Sequence, residues 1–146
     1  MNEVTGTYHN TVLDFLSKNP RNKLIIVSRE LGDIKFINLD NELSSQLNGI
    51  KIISRFSLKA KDLINDFLNN NTKINDRIGR HLAISGIGIL LEKELKLDFP
   101  SFLDQYSQNQ TLFLKWDGEI TDNNLYFLTK QNGLEIDISN LSHIVI

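Results

Sequence analysis

The chain has 146 residues, a formal net charge of −2 at pH 7, 40% hydrophobic residues and 23% charged residues. A chain of this length and composition forms one folded domain, here 1–146, that buries roughly 68–70% of its unfolded surface. It contains no cysteine, which excludes disulfides, thiolate metal ligands and cysteine nucleophiles. It also lacks a basic excess, a signal-peptide pattern and an apolar run of about 20 residues, so we expect a cytoplasmic protein without membrane contact.

The first half of the chain alternates between helical and strand patterns. Tyr8, Val12 and Leu16 repeat at i, i+4 and i+8, which predicts a helix that ends before Pro20. The apolar run at 24–27 predicts a strand buried on both faces. The other predicted elements are a strand at 34–38, a helix capped by Asp40, a brief strand at 50–53, a helix capped by Ser57 and a polar loop at 69–76.

The second half continues the same alternation. Its predicted elements are a strand at 81–85, a turn at 86–88, a helix at 90–95, a helix that starts at Asp98 and Pro100, a strand at 111–116, a turn at 117–118, a strand at 125–128 and an edge strand within 136–146. Alternating strands and helices are typical of an α/β domain whose sheet is largely parallel.

The junction between the first two predicted strands is very short. Residues 23–28 and 34–38 are separated by only the five residues 29–33. Five extended residues reach at most about 17 Å, whereas a parallel crossover normally needs a dozen or more residues. We therefore predict an antiparallel hairpin in which Gly32 has a positive φ.

The order of several short motifs resembles a known family, the BrxF-like small P-loop ATPase component of bacteriophage-exclusion (BREX) defence systems. The resemblance covers 23–118 and consists of two groups of residues. The first follows the second strand and comprises Asn38, Leu39, Glu42, Leu43, Ser44 and Leu47. The second comprises Leu95, Leu97, Asp98, Ser107, Asn109, Thr111, Trp116 and Gly118.

This chain departs from that family in the residues that hold a nucleotide. No G-x-x-x-x-G-K-[ST] motif occurs, so the loop whose backbone N–H groups wrap the phosphates is missing. Ser85 stands where the family's Walker-B carboxylate would help to hold magnesium, and Gly88 replaces the acidic residue expected shortly after it. The sequence therefore predicts no catalytic residue, no cofactor-binding residue and no metal ligand.

The resemblance implies a P-loop-NTPase-like three-layer fold with helices on both faces of the sheet. Together with the missing motifs, it predicts a pseudoenzyme that acts as a scaffold or regulator in a bacterial antiviral complex. It implies protein partners such as a large ATPase, a methyltransferase or an alkaline-phosphatase-like protein. Oligomeric state, contact surface, sheet order and the pairing of the C-terminal strands stay open.

Two other classes of function are weighed against this one. A metal-dependent nuclease or NTPase would use a pattern such as Glu94-x-Lys96, although that pattern falls in a predicted helix, where a solvated face is the simpler explanation. Gly86-x-Gly88 lacks the third glycine of a dinucleotide loop. Two small basic clusters, one of Arg77, Arg80 and His81 and one of Arg55, Lys59 and Lys61, are compatible with an acidic partner or with nucleic acid, but the net negative charge of the chain argues against direct nucleic-acid contact. A stand-alone interaction module of the immunity or anti-defence type would instead expose an apolar patch.

Overall fold

The computed structural model describes residues 2–51, 55–127 and 134–146. The helices in these ranges are α1 (Asn2–Ser17), α2 (Leu39–Ile50), α3 (Phe56–Asn70) and α4 (Phe99–Gln108), with 3₁₀ turns at Ile87–Leu91 and Lys93–Leu95. The strands are β1 (Leu24–Val27), β2 (Ile37–Asn38), β3 (Lys73–Asn75), β4 (Gly79–Ser85), β5 (Thr111–Lys115), β6 (Asn124–Phe127), β7 (Leu134–Asp137) and β8 (His143–Val145).

The central sheet has the strand order β2-β4-β5-β1-β8, and all five of these strands are parallel. Strand β3 adds to β4 in the antiparallel direction, while β6 and β7 form a separate antiparallel pair. Ile26 pairs with Leu114 on one side and with Val145 on the other. The protein is thus a single-domain α/β fold with a mostly parallel sheet, as the sequence predicts.

Strand β1 is buried throughout because it has a strand on each side and a packed layer on each face. Leu24 and Ile26 belong to the core under α2, α3 and α4, whereas Ile25 and Val27 belong to the core under α1. This alternation follows the two-residue period of a strand. Helices therefore cover both faces of the sheet.

The helices that cover the larger core bury side chains at a helical spacing. In α2 the buried residues are Leu39, Leu43 and Leu47, and in α3 they are Ala60, Ile64 and Leu68. Both sets follow i, i+4 and i+8, which places them on one stripe of each helix. Asp98 precedes α4 and Pro100 lies in its first turn, as predicted.

The predicted cap of α2 is wrong by two residues. Asn38 is the N-cap, and its side chain accepts a hydrogen bond from the backbone N–H of Asn41 at 3.0 Å. Asp40 lies in the first turn, where its Oδ1 accepts a hydrogen bond from the backbone N–H of Ile89 at 2.7 Å. Asn and Asp are about equally good caps, so local sequence does not separate them.

The predicted hairpin is also wrong. Strands β1 and β2 run in the same direction, with β4 and β5 between them, and Gly32 has no positive φ. The geometric argument failed because it assumed that the second strand is as long as the first. Strand β2 has only two residues, and Ile37 lies level with Ile26 in the register. The connection therefore crosses the sheet perpendicular to the strands and needs almost no return along the strand direction.

We call residues 28–36 the crossing segment. It spans three strand spacings of ~4.8 Å each, or about 14 Å, and nine extended residues can reach about twice that distance. Leu31 and Ile34 of this segment are buried with Ala83 and Phe113, which belong to the two strands that it crosses. The crossover is therefore a packed loop without a helix.

Smaller differences concern short elements. The predicted loop at 69–76 contains β3, and the predicted helix at 90–95 is a pair of 3₁₀ turns. The predicted strand at 50–53 begins inside α2, and its residues 52 and 53 lie outside the described residues. The predicted C-terminal edge strand is confirmed as β8, beside β1. No helix within the described ranges is long and apolar enough to cross a bilayer.

Candidate functional site

The carboxyl ends of β2, β4, β5 and β1 meet at one edge of the sheet, which we call the carboxyl edge. Asn38, Ser85 and Lys115 end the first three of these strands, and Ser28 follows the fourth. The connection that follows β1 leads to β2 at one end of the sheet, whereas the last strand, β8, lies on the opposite side of β1. The direction of the connections therefore reverses at β1, which makes it a topological switch point. Open parallel sheets bind ligands at such a point.

A cleft of about 630 Å³ lies at this edge between the crossing segment, Ser85 and Lys115. The ammonium of Lys115 forms an ion pair with the carboxylate of Glu30 in the crossing segment. Asp33 and Lys35 also line the cleft, so it holds two carboxylates and two ammonium groups. The lining therefore carries no net positive charge that would attract a phosphate group.

The Gly86-x-Gly88 turn is held against the start of α2. The backbone N–H of Asp40 donates to the carbonyl oxygen of Gly86 at 2.9 Å, and Ile89 donates to the carboxylate of Asp40 at 2.7 Å. Gly86 has φ +57°, and a Cβ there would lie 2.7 Å from Nδ2 of Asn38. The turn is thus a tight structural connection, which is the simpler of the two interpretations of its sequence.

A second cleft, of about 290 Å³, lies on the other side of Lys115. It is lined by Asp40, the 86–88 turn, the 115–118 segment and Phe127. Trp116 is only 4% exposed, and its indole N–H donates to the carbonyl oxygen of Tyr126 at 3.1 Å. The indole is therefore a core side chain at the rim of the cleft and not a surface for stacking a ligand.

Asp33 of the crossing segment contacts two side chains of α1. The hydroxyl of Tyr8 donates to one carboxylate oxygen of Asp33, and Nε2 of His9 lies 2.9 Å from the other. Burial raises the pKa of Tyr8, and the hydrogen bond to Asp33 raises that pKa further. These contacts fix the segment across the face of the sheet that α1 covers.

A third feature lies on the opposite face of the sheet, between α3 and α4. We call it the α3–α4 groove, and it consists of two adjoining clefts of about 430 and 400 Å³ that share Asn65, Gln105 and Tyr106. The phenol of Tyr106 crosses it and donates to Oδ1 of Asn65. One end of the groove is completed by Asn69, Arg80, Asn109 and Gln110.

The spacing of the amide residues in the sequence is a signal for this groove. Asn65 and Asn69 are four residues apart, as are Gln105 and Asn109, so each pair lies on one side of its helix. The amides of each pair therefore point in one direction. The sequence alone does not show that the two pairs face each other, because they belong to helices separated by about 40 positions.

The other candidate residues of the sequence do not converge. Lys93–Leu95 is a 3₁₀ turn and Lys96 follows it with φ +54°, so Glu94 and Lys96 are not on neighbouring strands as a nuclease would require. His9 contacts Asp33, His81 packs edge-on against Phe113, and His143 contacts backbone oxygens. Within the ranges that the structure describes, no cluster of three or more His, Asp or Glu side chains could hold a metal ion.

Exposed large apolar side chains belong to different elements. Leu58, Ile74, Leu134 and Val145 lie on α3, β3, β7 and β8 respectively. These positions alone do not favour an apolar docking patch over single exposed side chains.

Comparison of the chain with protein-family models, with curated proteins and with solved structures found no match.

Proposed function

We propose that the chain is a non-catalytic domain of P-loop-like ancestry that serves as a scaffold or regulatory subunit in a bacterial anti-phage defence complex. Two features support the P-loop-like part of this proposal. Strand β1 lies inside a parallel sheet, and its carboxyl end is at the switch point where such folds bind ligands. The order of sequence motifs, which resembles that of the BrxF-like family, supports the part of the proposal that concerns a defence complex.

One observation carries the non-catalytic part. A P-loop protein places a glycine-rich loop and a helix directly after its first strand. Here the crossing segment follows β1, and its Leu31 and Ile34 are buried against the sheet. The connection that follows β1 is thus part of the core and does not form a phosphate loop. Its Glu30 also pairs with the ammonium of Lys115, which places a carboxylate beside that cation and opposes the approach of a phosphate.

The residues at the Walker-B positions support the same proposal, although Asp40 and Asp117 line the second cleft. Ser85 at the end of β4 offers a hydroxyl where a carboxylate is needed, and Gly88 offers no side chain. Asp40 is close by, but one of its carboxylate oxygens is hydrogen-bonded to the backbone of Ile89. A triphosphate would therefore lack the cation that offsets its charge.

Reconstitution with neighbouring gene products tests the scaffold role. The chain would be co-expressed with any large ATPase, methyltransferase and alkaline-phosphatase-like protein encoded beside it, and the mixtures separated by size-exclusion chromatography. We expect co-elution with at least one of them. Elution of the chain alone from every mixture would contradict the proposal.

A phage-plating assay tests the non-catalytic role in the same system. Ser85→Ala and Lys115→Met remove the polar groups that a catalytic edge would use while preserving the packing of their strands. We expect both variants to protect cells from phage as well as the wild type does. Loss of protection by a variant that still folds and co-elutes would indicate that the carboxyl edge is an active site.

A further inference from the structure

The walls of the α3–α4 groove carry a regular array of amide side chains. Asn65 and Asn69 line it from α3, and Gln105 and Asn109 line it from α4 and its C-cap. Along α3 the groove extends from Lys61 to Asn69, which is about 12 Å at the rise of an α-helix. That length fits three or four residues of an extended peptide.

The amides at one end are oriented by other side chains. Tyr106 donates its hydroxyl to Oδ1 of Asn65. The Thr72 hydroxyl lies 3.1 Å from the carbonyl oxygen of Leu68 and 3.3 Å from Oε1 of Gln110, so its one proton is shared between the two. Burial raises the pKa of the Tyr106 phenol, so it keeps the proton that it donates. Asn65 therefore has its oxygen engaged and its NH₂ group available as a donor.

Arg80 adds a charge to this set of donors. Its guanidinium is exposed and forms no ion pair or side-chain hydrogen bond with any residue that the structure describes. The half of the groove that contains it is lined by five amides, Tyr106 and no carboxylate among the described residues. Acidic side chains line only the other half, where Asp62 and Asp98 accompany Lys61 and Lys96. Asp66 lines neither half, but its charge is close enough to Tyr106 to raise the pKa of that phenol, after the larger effect of burial. The Arg80 end is therefore complementary to a carboxylate.

We propose that the α3–α4 groove binds an extended acidic peptide segment of a partner protein. The amides hydrogen-bond its main chain, and Arg80 pairs with one of its carboxylates. Single-stranded nucleic acid fits less well, because such sites stack bases on exposed aromatic rings. The rings here, Phe102 and Tyr106, are only 5% and 8% exposed. This inference rests on the proposed function and names the class of partner segment that the scaffold recognises.

Fluorescence anisotropy with a labelled hexapeptide tests the groove. The probe is fluorescein-labelled Asp-Ala-Glu-Ala-Asp-Ala with a capped C-terminus, and its neutral counterpart is Asn-Ala-Gln-Ala-Asn-Ala. We expect the acidic peptide to bind, and Arg80→Gln to weaken its binding about tenfold because a hydrogen-bonded charge pair is lost. Arg77→Gln removes an exposed arginine three positions away that does not line the groove, and it should leave binding unchanged.

Several outcomes would overturn the inference. They are no binding of the acidic peptide at millimolar protein, equal binding of the neutral peptide, or equal losses in the two arginine variants. Competition by free glutamate or phosphate as strong as that by the unlabelled peptide would indicate a small-anion site instead. Tighter binding of oligothymidylate, lost in Arg80→Gln, would assign the groove to nucleic acid.

The two proposals can fail separately. A chain that co-elutes with a neighbouring gene product but does not bind the acidic peptide keeps the proposed function and loses this inference. Asn69→Ala and Gln105→Ala should weaken binding of the acidic peptide without changing the fold, since both side chains are exposed. If circular dichroism shows that both variants are folded and neither weakens peptide binding, the amides do not contact the peptide.

Discussion

Two residues from distant parts of the sequence fix the start of α2 and the end of β4 together. Gly86 has φ +57°, and the side chain of Asn38 occupies the space where a Cβ would stand. The same Asn38 side chain caps α2 through the N–H of Asn41. The glycine is therefore required both by its backbone conformation and by the side chain packed on it.

Replacing this glycine should be costly. Gly86→Ala forces a Cβ to within 2.5 Å of Cγ of Asn38, so the cap must move while the alanine keeps a left-handed conformation. We expect a loss of about 2 kcal/mol in the free energy of unfolding, from a lost cap and backbone strain together. Urea denaturation followed by circular dichroism measures it.

A second glycine provides the matched control. Gly49 lies inside α2 without a positive φ, and nothing lies within 4 Å of a Cβ built there. Gly49→Ala should therefore stabilise the protein by about 0.5–1 kcal/mol. If Gly86→Ala raises the denaturation midpoint as Gly49→Ala does, or leaves it unchanged, the packing of Asn38 on Gly86 is not as described.

Burial of the Tyr8 phenol and its hydrogen bond to Asp33 together give stability a pH dependence. The pKa of Tyr8 is raised in the folded state, so its contribution to stability is complete below pH 10 and declines as the pH rises above 10. Tyr8→Phe removes this contribution and should lower the free energy of unfolding at pH 7 by about 1 kcal/mol. The difference between wild type and variant should shrink in denaturation curves above pH 10. A constant difference from pH 7 to 11 would contradict the assignment.

Among the elements, the crossing segment departs most from the sequence prediction. The sequence predicts a short connection after β1 without a phosphate loop and its helix, and the structure shows a connection without a helix. The sequence does not show the destination of the chain, because the strand order depends on which strands pair and not on the length of one loop. Two apolar residues, Leu31 and Ile34, separated by Gly32 and Asp33, fit a hairpin as well as a packed crossover.

The α3–α4 groove illustrates a second limit of the sequence. The amide pairs and the buried stripes of α3 and α4 can be recognised from helical spacing alone. The bridge between Tyr106 and Asn65 depends on packing between elements that β3, β4 and the 3₁₀ turns separate in the chain. Local patterns thus identify the faces of helices, whereas the fold decides which faces meet.

A core substitution distinguishes a packed crossover from a surface turn. Leu31 is only 4% exposed and packs in the core under α1, so Leu31→Ala should destabilise the protein by about 2–3 kcal/mol. Lys35→Ala, in the same segment but exposed, should change stability by less than about 0.5 kcal/mol. Equal and small effects of the two substitutions would indicate that the segment does not pack on the sheet.

At the scale of the whole molecule, the packing of an α/β core is independent of the catalytic or binding residues that such folds often carry. The core is made by β1, β4 and β5 with helices on both faces, and it needs no ligand to fill it. Function in these folds depends on the loops at the carboxyl ends of the strands. In this protein one of those loops packs on the sheet, and another is a tight turn against α2.

Isothermal titration calorimetry with ATP and magnesium tests the central claim most directly. We expect no binding at millimolar nucleotide, either by the wild type or by Glu30→Ala, which frees the ammonium of Lys115 but supplies no glycine-rich loop and no magnesium ligand. A micromolar Kd for the wild type would contradict the claim that the carboxyl edge holds no nucleotide.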